Sequence, residues 1–269
     1  MSNDTEMMFR LDGKVAIITG AAGLLGEQHA IALSDFGANL TLVDIKGDPC
    51  LALAERIESK GQARCLSLTC DVTDKSSWEK VLSETVRRFG HVDILLNNAA
   101  FTTESRSVNY GAPFPEFPLE DWNQILGVNL TGTFLGCQVI GGEMLRQGSG
   151  SIINVASLYG VVSPNHRMYP DTGIHQPVAY SVSKSGVIAL TRYLATLWAD
   201  RGVRVNSITP GGVFNRHPKS FSERYSNLSP MGRMASKDEM RGAIVYLASA
   251  SSAYCTGHNL VVDGGWTAW

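Results

Sequence analysis

Tyr180 and Lys184 offer the clearest chemistry in this sequence, because they lie four positions apart at the start of an apolar run. If that run is a helix, the two side chains share one face and lie about 6 Å apart along its axis. A phenol is a poor base at neutral pH because its pKa is about 10, and a neighbouring cation lowers that pKa. The pair predicts a tyrosine that exchanges a proton with an alcohol or a carbonyl oxygen. An ordinary surface helix with the same spacing is the alternative.

Three glycines, Gly20, Gly23 and Gly26, lie between the first apolar run and the first helical pattern. Glycines there let the backbone approach a ligand, and the following helix N-terminus offers free N–H groups to a pyrophosphate. Asp44 ends the next strand-like run, 18 positions after Gly26. Together these features predict a dinucleotide site, with an ordinary strand-to-helix turn as the alternative.

Asp44 also predicts which dinucleotide binds. A carboxylate at this point can accept hydrogen bonds from the adenosine ribose hydroxyls and would repel a ribose phosphate. Ala21 and Ala22 place no basic residue in the turn. We therefore expect NAD rather than NADP, although Lys46 is near enough in the sequence to keep NADP open.

Short β-branched runs alternate with helical patterns along the chain. This alternation predicts an α/β fold of the doubly wound, Rossmann type, with a parallel sheet and helices on both faces. The predicted strands are 14–19, 39–43, 63–69, 92–96, 151–155, 203–208 and 260–262. The predicted helices are 27–36, 49–60, 76–89, 119–146, 178–201 and 237–249.

Three stretches show neither the helical nor the strand period of apolar residues, and these are 101–118, 159–177 and 211–235. Loops of this length in a compact domain are commonly functional. All three follow the carboxyl ends of predicted strands, where open α/β sheets bind ligands. We find no linker or internal repeat, so residues 1–269 predict one dinucleotide-binding catalytic domain with these stretches as its substrate loops.

The composition narrows the class of partner. The chain has 269 residues, 44% of them hydrophobic and 18% charged, with a formal net charge of −2. This balance favours neither a nucleic-acid partner nor a membrane surface. No uninterrupted apolar run approaches the roughly 18 residues of a membrane span, and the polar, acidic start is unlike a signal peptide. Five cysteines without CxxC spacing predict free thiols in a reducing cytoplasm and no metal site.

The chain resembles the short-chain dehydrogenase/reductase family over essentially its whole length. The motifs that carry the resemblance are Thr19-Gly20 to Gly26, Asp71-Val72, Asn97-Asn98-Ala99, Asn129, Ser157, Tyr180-x-x-x-Lys184, Pro210-Gly211 and Asp263-Gly264-Gly265. The resemblance implies an NAD(P)-dependent enzyme that interconverts a secondary alcohol and a ketone. It implies that Tyr180 is the acid/base and that Ser157 hydrogen-bonds the substrate oxygen.

The resemblance also implies roles for the remaining catalytic residues and for the cofactor. Lys184 would hold the nicotinamide ribose and lower the pKa of Tyr180, and Asn129 would order a water between Lys184 and solvent. Asp71 and Val72 would contact the adenine, and Asn98 the adenosine side. The full set of implied cofactor-binding residues is Gly20, Gly23, Leu25, Gly26, Asp44, Asp71, Val72, Asn98, Tyr180, Lys184, Pro210, Gly211, Val213 and Asn215.

The sequence departs from the family pattern at several points. Leu24 stands where the short family members usually have the middle glycine of the turn. Asn215 stands where a threonine often contacts the nicotinamide carboxamide, and its amide can still form that hydrogen bond. Ser157 and Tyr180 are 23 positions apart, which is more than is usual in the family. The extra residues must therefore form a loop beside the active site.

The substrate loops are polar and carry several charges. Tyr159, Arg167 and His175 in one loop and Arg216 in another are the candidate substrate ligands. Such residues favour a polyhydroxylated or anionic substrate, such as a sugar, a sugar acid or a nucleotide-activated sugar, over a long acyl chain. Simple solvation of a surface loop is the alternative explanation for each of them.

Two other functions stay open. A 3-oxoacyl-[acyl-carrier-protein] reductase would prefer NADPH and present a basic surface to the carrier, and Asp44 argues against it. A non-catalytic binding protein on the same fold would have a damaged catalytic set, whereas Asn129, Ser157, Tyr180 and Lys184 are all present.

The family resemblance further implies a homotetramer or homodimer that buries the helices 119–146 and 178–201. Trp266 and Trp269 are large apolar groups at the end of this sequence. Because their exposure would be unfavourable, we expect them to form a subunit contact or to cap a neighbouring active site.

Overall fold

The structure is a computed structural model that describes residues 4–61, 63–101, 112–172 and 176–269. Seven parallel strands form one sheet in the order β3-β2-β1-β4-β5-β6-β7. The chain order reverses between β1 and β4, which opens a crevice at the carboxyl ends of the strands. The strands are β1 (Val15–Thr19), β2 (Asn39–Asp44), β3 (Cys65–Thr69), β4 (Ile94–Asn97), β5 (Gly150–Val155), β6 (Val203–Pro210) and β7 (Asn259–Val262).

Helices cover both faces of the sheet, so the predicted doubly wound α/β fold is confirmed. Side chains of α2, α3 and α9 pack on one face, and those of α4, α6 and α7 pack on the other. The helices are α1 (Asp4–Met7), α2 (Leu24–Asp35), α3 (Gly47–Glu58), α4 (Lys75–Phe89), α5 (Leu119–Leu126), α6 (Gly132–Gln147), α7 (Val178–Trp198), α8 (Lys219–Leu228) and α9 (Arg241–Ala248).

Local sequence explains why these elements begin and end where they do. Every residue of β1 is buried, which suits a strand covered on both faces and explains its unbroken apolar run. Asp74 caps α4 by accepting the N–H groups of Ser76 and Ser77. Gly90 ends α4 with a φ of 91°, a left-handed conformation that glycine adopts without strain.

The prediction of an irregular stretch over 211–235 is wrong at its centre, where α8 forms. Phe221 and Tyr225 are the buried residues of α8, and they lie one turn apart among serines and charged residues. This apolar stripe is too narrow to produce a detectable helical period in the sequence. Similarly, α9 begins at Arg241, later than predicted, because the N–H of Arg241 closes a turn onto the carbonyl of Asp238.

The predicted helix 119–146 is continuous but not uniform. The segment Gly127–Thr131 between α5 and α6 is π-helical, and Asn129 is its buried residue. Such wide turns often occur at functional sites. The whole helix, Leu119–Gln147, is long and apolar enough to span a membrane by length and composition, with 44% of its most apolar window buried in the protein. Its packing against α4 and α7 is that of a core helix.

The cysteines agree with the sequence prediction of free thiols. All five are free, and only Cys255 has appreciable exposure. Burial raises the pKa of the Cys137 thiol to about 12, so this thiol stays protonated and behaves as an apolar group. The cytoplasmic location stays a prediction.

Candidate active site

The glycine turn between β1 and α2 packs backbone against backbone. Gly20 has a φ of 61°, and a Cβ there would lie 2.8 Å from the Cα of Ala99. A Cβ on Gly26 would lie 2.0 Å from the carbonyl oxygen of Gly20. Gly23 precedes α2 without a side-chain cap. The N–H groups of the first turn of α2, which contains Leu25, are thus left for a ligand.

Asn98 holds this turn in place. Its side-chain amide donates to the carbonyls of Thr19 and Gly20, at 2.9 and 3.1 Å. The hydroxyl of Thr19 accepts the N–H groups of Asn98 and Ala99, both at 3.0 Å. The side chain of Asn98 therefore fixes the backbone of the turn, and any contact with the adenosine side would be additional to this role.

Asp44 reaches the same turn from the end of β2. One carboxylate oxygen accepts the N–H of Ala22 at 3.0 Å, and the other accepts the N–H of Lys46 at 3.0 Å. Each oxygen keeps a lone pair. The carboxylate therefore lies beside the crevice with the capacity to bind hydroxyl groups.

Asp71 and Val72 follow β3 at the same edge of the sheet. Asp71 accepts the N–H and the hydroxyl of Thr73, at 2.9 and 2.7 Å, which turns the chain toward α4. Val72 is buried against Gly132, where an added Cβ would lie 2.8 Å from a methyl group of Val72.

The segment after β6 completes the rim of the crevice. Pro210 ends β6, and the N–H of Gly211 donates to the carbonyl of Val262 at 2.9 Å. The N–H of Gly212 donates to the hydroxyl of Tyr225 at 2.6 Å. Val213 then forms a parallel bridge with Ala235. Asn215 is exposed, and its N–H donates to Nδ1 of His217 at 3.1 Å, which makes this imidazole nitrogen an acceptor.

These features fit a dinucleotide. An uncapped helix N-terminus stands at the switch point of the sheet, with glycines that keep the backbone accessible and a carboxylate one strand away. Free N–H groups suit a pyrophosphate, and a carboxylate suits ribose hydroxyls. The crevice continues to the ends of β5 and β6, where Ser157 and Pro210 lie.

Ser157, Tyr180 and Lys184 lie near one another, between the end of β5 and the start of α7. Spacing points to Tyr180 and Lys184, and the family resemblance points to Ser157. Ser157 follows β5, and its side chain is close enough to the Tyr180 hydroxyl to lower the pKa of that group. The Lys184 ammonium stands 5.8 Å from the centre of the Tyr180 ring and donates to the carbonyl of Val155 at 2.7 Å. Burial lowers the pKa of Lys184 to about 8.

The expected effect of Lys184 on Tyr180 is not seen in this structure. Burial raises the pKa of Tyr180, and the nearby Ser157 side chain offsets part of that rise. The reason is geometric, because Lys184 donates to the carbonyl of Val155 and stands over the face of the phenol ring. The sequence prediction missed the carbonyl of Val155, since a backbone acceptor leaves no motif.

Asn129 is fully buried and braces α7 through Ser183. Its amide donates to the Ser183 hydroxyl at 3.0 Å, and its oxygen accepts the N–H of Phe101 at 2.6 Å. Ser183 in turn donates to the carbonyl of Tyr180 at 2.7 Å. Sequence reasoning did not single out Ser183. Its position next to Lys184 is the one signal that could have pointed to it.

The extra residues between Ser157 and Tyr180 pack under α8 and form an aromatic cluster. Tyr159 and Tyr169 share a hydrogen bond of 2.5 Å between their hydroxyls. The Tyr169 ring lies 5.7 Å from that of Phe221. We use the name aromatic cluster for the buried residues Leu158, Tyr159, Met168, Tyr169, Phe221, Tyr225 and Trp266.

The structure corrects the prediction for Trp266. Its ring stacks on Tyr225 with 4.4 Å between centroids and is 9% exposed, so it needs no subunit contact. Asp263 directs it inward by accepting the N–H groups of Gly265 and Thr267. Trp269 is 80% exposed, and for this residue the predicted contact stays a prediction.

The charged substrate candidates lie apart from the buried centre. Arg167 and Arg216 are exposed, and Arg216 has a φ of 53°. His175 lies outside the described residues, as do 102–111 of the predicted loop 101–118. Of the three candidates that the structure describes, Tyr159 is the one placed next to Ser157, whose hydroxyl accepts its N–H at 3.2 Å.

A cavity of about 460 Å³ lies at the N-terminus of α7, on the side of the inserted residues. This volume is typical of small-molecule sites. Neither Arg167 nor Arg216 is among the described residues of its wall. Aromatic, apolar and neutral polar side chains make up most of that wall, including those of Phe114, Phe117, Pro164, His166, Tyr169 and Ser181.

Comparison with known proteins shows which family this chain is similar to. The family model described as Enoyl-(Acyl carrier protein) reductase matches residues 20–267. The D-threitol dehydrogenase of Mycolicibacterium smegmatis is 39% identical to this chain, over 96% of this chain and 95% of that protein. The NAD-dependent glycerol dehydrogenase of Listeria innocua is 32% identical, over 96% of each protein.

Solved structures agree in fold. The gluconate 5-dehydrogenase from Burkholderia cenocepacia, crystallised with NADP and tartrate, superimposes with a TM-score of 0.86 at 30% identity. The match covers 97% of this chain and 98% of that one. The chain therefore belongs to the short-chain dehydrogenase/reductase family. It is an NAD(P)-dependent oxidoreductase that acts on CH–OH groups.

Proposed function

We propose that this protein is an NAD-dependent dehydrogenase that oxidises a secondary hydroxyl of a neutral polyol to a ketone. The choice of a neutral polyol as substrate rests on the types of side chain that surround the buried catalytic residues. Tyrosine hydroxyls and the hydroxyl of Ser157 border it, and the described residues of the neighbouring cavity wall include no arginine or lysine. The names of the threitol and glycerol dehydrogenases similar to this chain support a polyol.

The proposed reaction removes a hydride and a proton from one carbinol group. NAD, when bound, accepts the hydride. Tyr180, after releasing its own proton to solvent, accepts the hydroxyl proton as the tyrosinate, and Ser157 holds the substrate oxygen through the reaction. Lys184, with its pKa lowered to about 8 by burial, keeps a positive charge near neutral pH and would hold the nicotinamide ribose. Asn129 holds α7 in position through Ser183.

The preference for NAD rests on Asp44. One of its carboxylate oxygens binds the glycine turn at Ala22 and the other binds the N–H of Lys46. Their remaining lone pairs would accept hydrogen bonds from ribose hydroxyls, and the charge would repel a ribose phosphate. Gly20, Gly23, Leu25 and Gly26 would hold the pyrophosphate. Asp71, Val72 and Asn98 would lie along the adenosine, and Pro210, Gly211, Val213 and Asn215 beside the nicotinamide.

The experiment that tests this function is an assay of cofactor reduction with short polyols, sugar acids and a carrier-linked 3-hydroxyacyl group, each with NAD and with NADP. We expect turnover with NAD and a neutral polyol. Turnover confined to the acyl substrate with NADP would favour the carrier-protein reductase instead. Turnover confined to sugar acids would contradict the neutral polyol.

Asp44→Ala tests the cofactor assignment separately. We expect the affinity for NADH, measured by fluorescence titration, to fall by at least about tenfold. One or two hydrogen bonds to a charged group contribute a binding free energy of that size. The affinity for NADPH should fall less or rise. Asp48→Ala, in the exposed first turn of α3, is the matched control. Wild-type preference for NADPH would overturn the role of Asp44.

We also propose association into a homodimer or homotetramer through α5–α7. Large apolar side chains on these helices are exposed in the single chain, among them Leu119, Phe134, Val182, Tyr193 and Leu197. An exposed apolar surface of this kind favours burial against a second copy. A monomeric mass in sedimentation equilibrium at assay concentration would contradict this proposal.

A further inference from the structure

Tyr159 and Tyr169 form a buried pair of phenols whose function in the reaction is not explained by the catalytic residues. Their hydroxyl oxygens are 2.5 Å apart, and the side chains are 9% and 8% exposed. Tyr159 lies two residues after Ser157, and Tyr169 belongs to the inserted residues before α7. The pair thus joins the catalytic serine to the segment that distinguishes this chain from the usual family pattern.

The pair lies close to the reacting groups. The N–H of Tyr159 donates to the Ser157 hydroxyl at 3.2 Å. Burial is the main reason that the pKa of each phenol is raised, to about 12 for Tyr169, and the proximity of Tyr180 contributes to both. The two phenols therefore stay neutral in the pH range in which an alcohol dehydrogenase works, and they act as hydrogen-bonding groups.

A count of protons and lone pairs shows what the pair can still bind. Each phenol has one proton and acceptor lone pairs, and the mutual bond uses one proton. One hydroxyl proton is left over whichever oxygen donates. Tyr169 is on the wall of the 460 Å³ cavity, and beyond the mutual bond its hydroxyl has either a donor or an acceptor left. A ligand hydroxyl, which both donates and accepts, matches either arrangement, whereas a carboxylate only accepts.

Tyr169 is also held rigidly. Its ring packs against Phe221, and its carbonyl accepts the N–H and the hydroxyl of Thr172, at 3.1 and 2.6 Å. The Arg224 guanidinium donates to the carbonyls of Met168 and Pro170 on either side of it. A side chain fixed in this way gives specificity at low entropic cost.

We propose that Tyr169, oriented by Tyr159, is a specificity-determining residue that hydrogen-bonds a second hydroxyl of the substrate. That hydroxyl is on the part of the polyol beyond the carbon that Tyr180 and Ser157 engage. This inference rests on the proposed polyol function. It adds the reason why a polyol is preferred over a simple secondary alcohol of the same carbon chain length.

The test compares Tyr169→Phe with the wild type on two substrates, D-threitol and sec-butanol, with NAD. The substitution removes the hydroxyl and keeps the ring. We expect kcat/KM for threitol to fall by about tenfold, the size of one neutral hydrogen bond at the upper end of its range, mainly through KM. We expect kcat/KM for sec-butanol to be unchanged, because this substrate has no second hydroxyl. Tyr159→Phe should give a smaller fall for threitol.

Tyr254→Phe is the matched control, since Tyr254 is fully exposed and is not among the described residues of the cavity wall. Unchanged NADH affinity and an unchanged melting temperature would show that Tyr169→Phe is folded. Equal falls for both substrates would assign Tyr169 to the fold alone and overturn the inference. An unchanged value for threitol would overturn it as well. A wild type that oxidises no polyol would instead overturn the proposed function, and the inference with it.

Discussion

The cofactor crevice and the aromatic cluster both border Tyr180, but they are built in different ways. In the crevice, backbone N–H groups donate to short polar side chains at the ends of neighbouring strands, such as Ala22 to the Asp44 carboxylate and Asn98 to the Thr19 hydroxyl. Parallel pairing of β2 with β1 and of β4 with β1 brings these ends together. Sheet topology and a short glycine motif are therefore enough to place them.

The aromatic cluster instead depends on individual side chains from three segments that are distant in the sequence. Arg224 binds the carbonyl of Met168 across 56 positions, and Trp266 stacks on Tyr225. No strand pairing fixes these contacts. We therefore expect the two regions to be separable, so that a change in one alters cofactor binding and a change in the other alters substrate binding.

The largest effect is expected at the residue that both regions border. Tyr180→Phe removes the proton acceptor and keeps the ring, so kcat for polyol oxidation should fall by between about a hundredfold and about ten thousandfold, the usual contribution of general acid–base catalysis. NADH affinity, measured by fluorescence titration, should stay near the wild-type value because the crevice is intact. Tyr254→Phe, at a fully exposed tyrosine, is the control. Activity near the wild-type level would contradict the assignment of Tyr180.

The same comparison shows what the sequence alone could predict. Gly20, Gly26 and Asp44 were predictable because their function depends on the spacing between a strand and the element that follows it. Tyr180 and Lys184 were predictable because one helix carries both. The parallel sheet with helices on both faces was predictable from the alternation of strand and helix periods along the chain.

Other features depended on contacts that spacing does not encode. The hydrogen bond between Tyr159 and Tyr169, and the carbonyl of Val155 that accepts from Lys184, depend on how separate segments pack. The burial of Trp266 was mispredicted because its partner, Tyr225, lies on a helix whose period is too weak to recognise. Residues at a chain end look exposed until their packing partner is known.

Arg224→Gln should separate the aromatic cluster from the crevice. The guanidinium donates to the carbonyls of Met168 and Pro170, so its loss frees the inserted residues from α8. Hydrogen bonds from a charged group are each worth about 1.5–3 kcal/mol, and we expect KM for a polyol to rise by on the order of thirtyfold. NADH affinity should not change.

Lys219→Gln is the control for this prediction. It removes a cation from the same helix, but Lys219 is exposed and its ion pair with Glu223, at 3.6 Å, contributes little. If Arg224→Gln weakened NADH binding as much as polyol binding, the two regions would be coupled and the comparison would be wrong.

The smallest predicted effect is a change in the free energy of unfolding, and it concerns a residue on the crevice side. His29 in α2 is fully buried, and both ring nitrogens lack a hydrogen-bond partner in the part of the chain that the structure describes. Burial lowers its pKa from 6.5 to about 3 in the folded state. The unfolded chain therefore binds a proton that the folded chain excludes. The contribution of neutral His29 to stability is complete above the unfolded pKa and is lost as the pH falls toward the folded pKa.

His29→Leu should remove this loss of stability at low pH, because leucine binds no proton in the unfolded chain. Between about pH 6.5 and about pH 5.5, the wild type should lose about 1 kcal/mol more free energy of unfolding than the variant, since each pH unit is worth at most about 1.4 kcal/mol for one proton. Urea unfolding at the two pH values measures the difference. His166→Leu is the control on the cluster side, because that imidazole is exposed in the folded chain. Parallel losses in wild type and His29→Leu would mean that His29 is protonated in the folded state and that water reaches the core beneath the glycine turn.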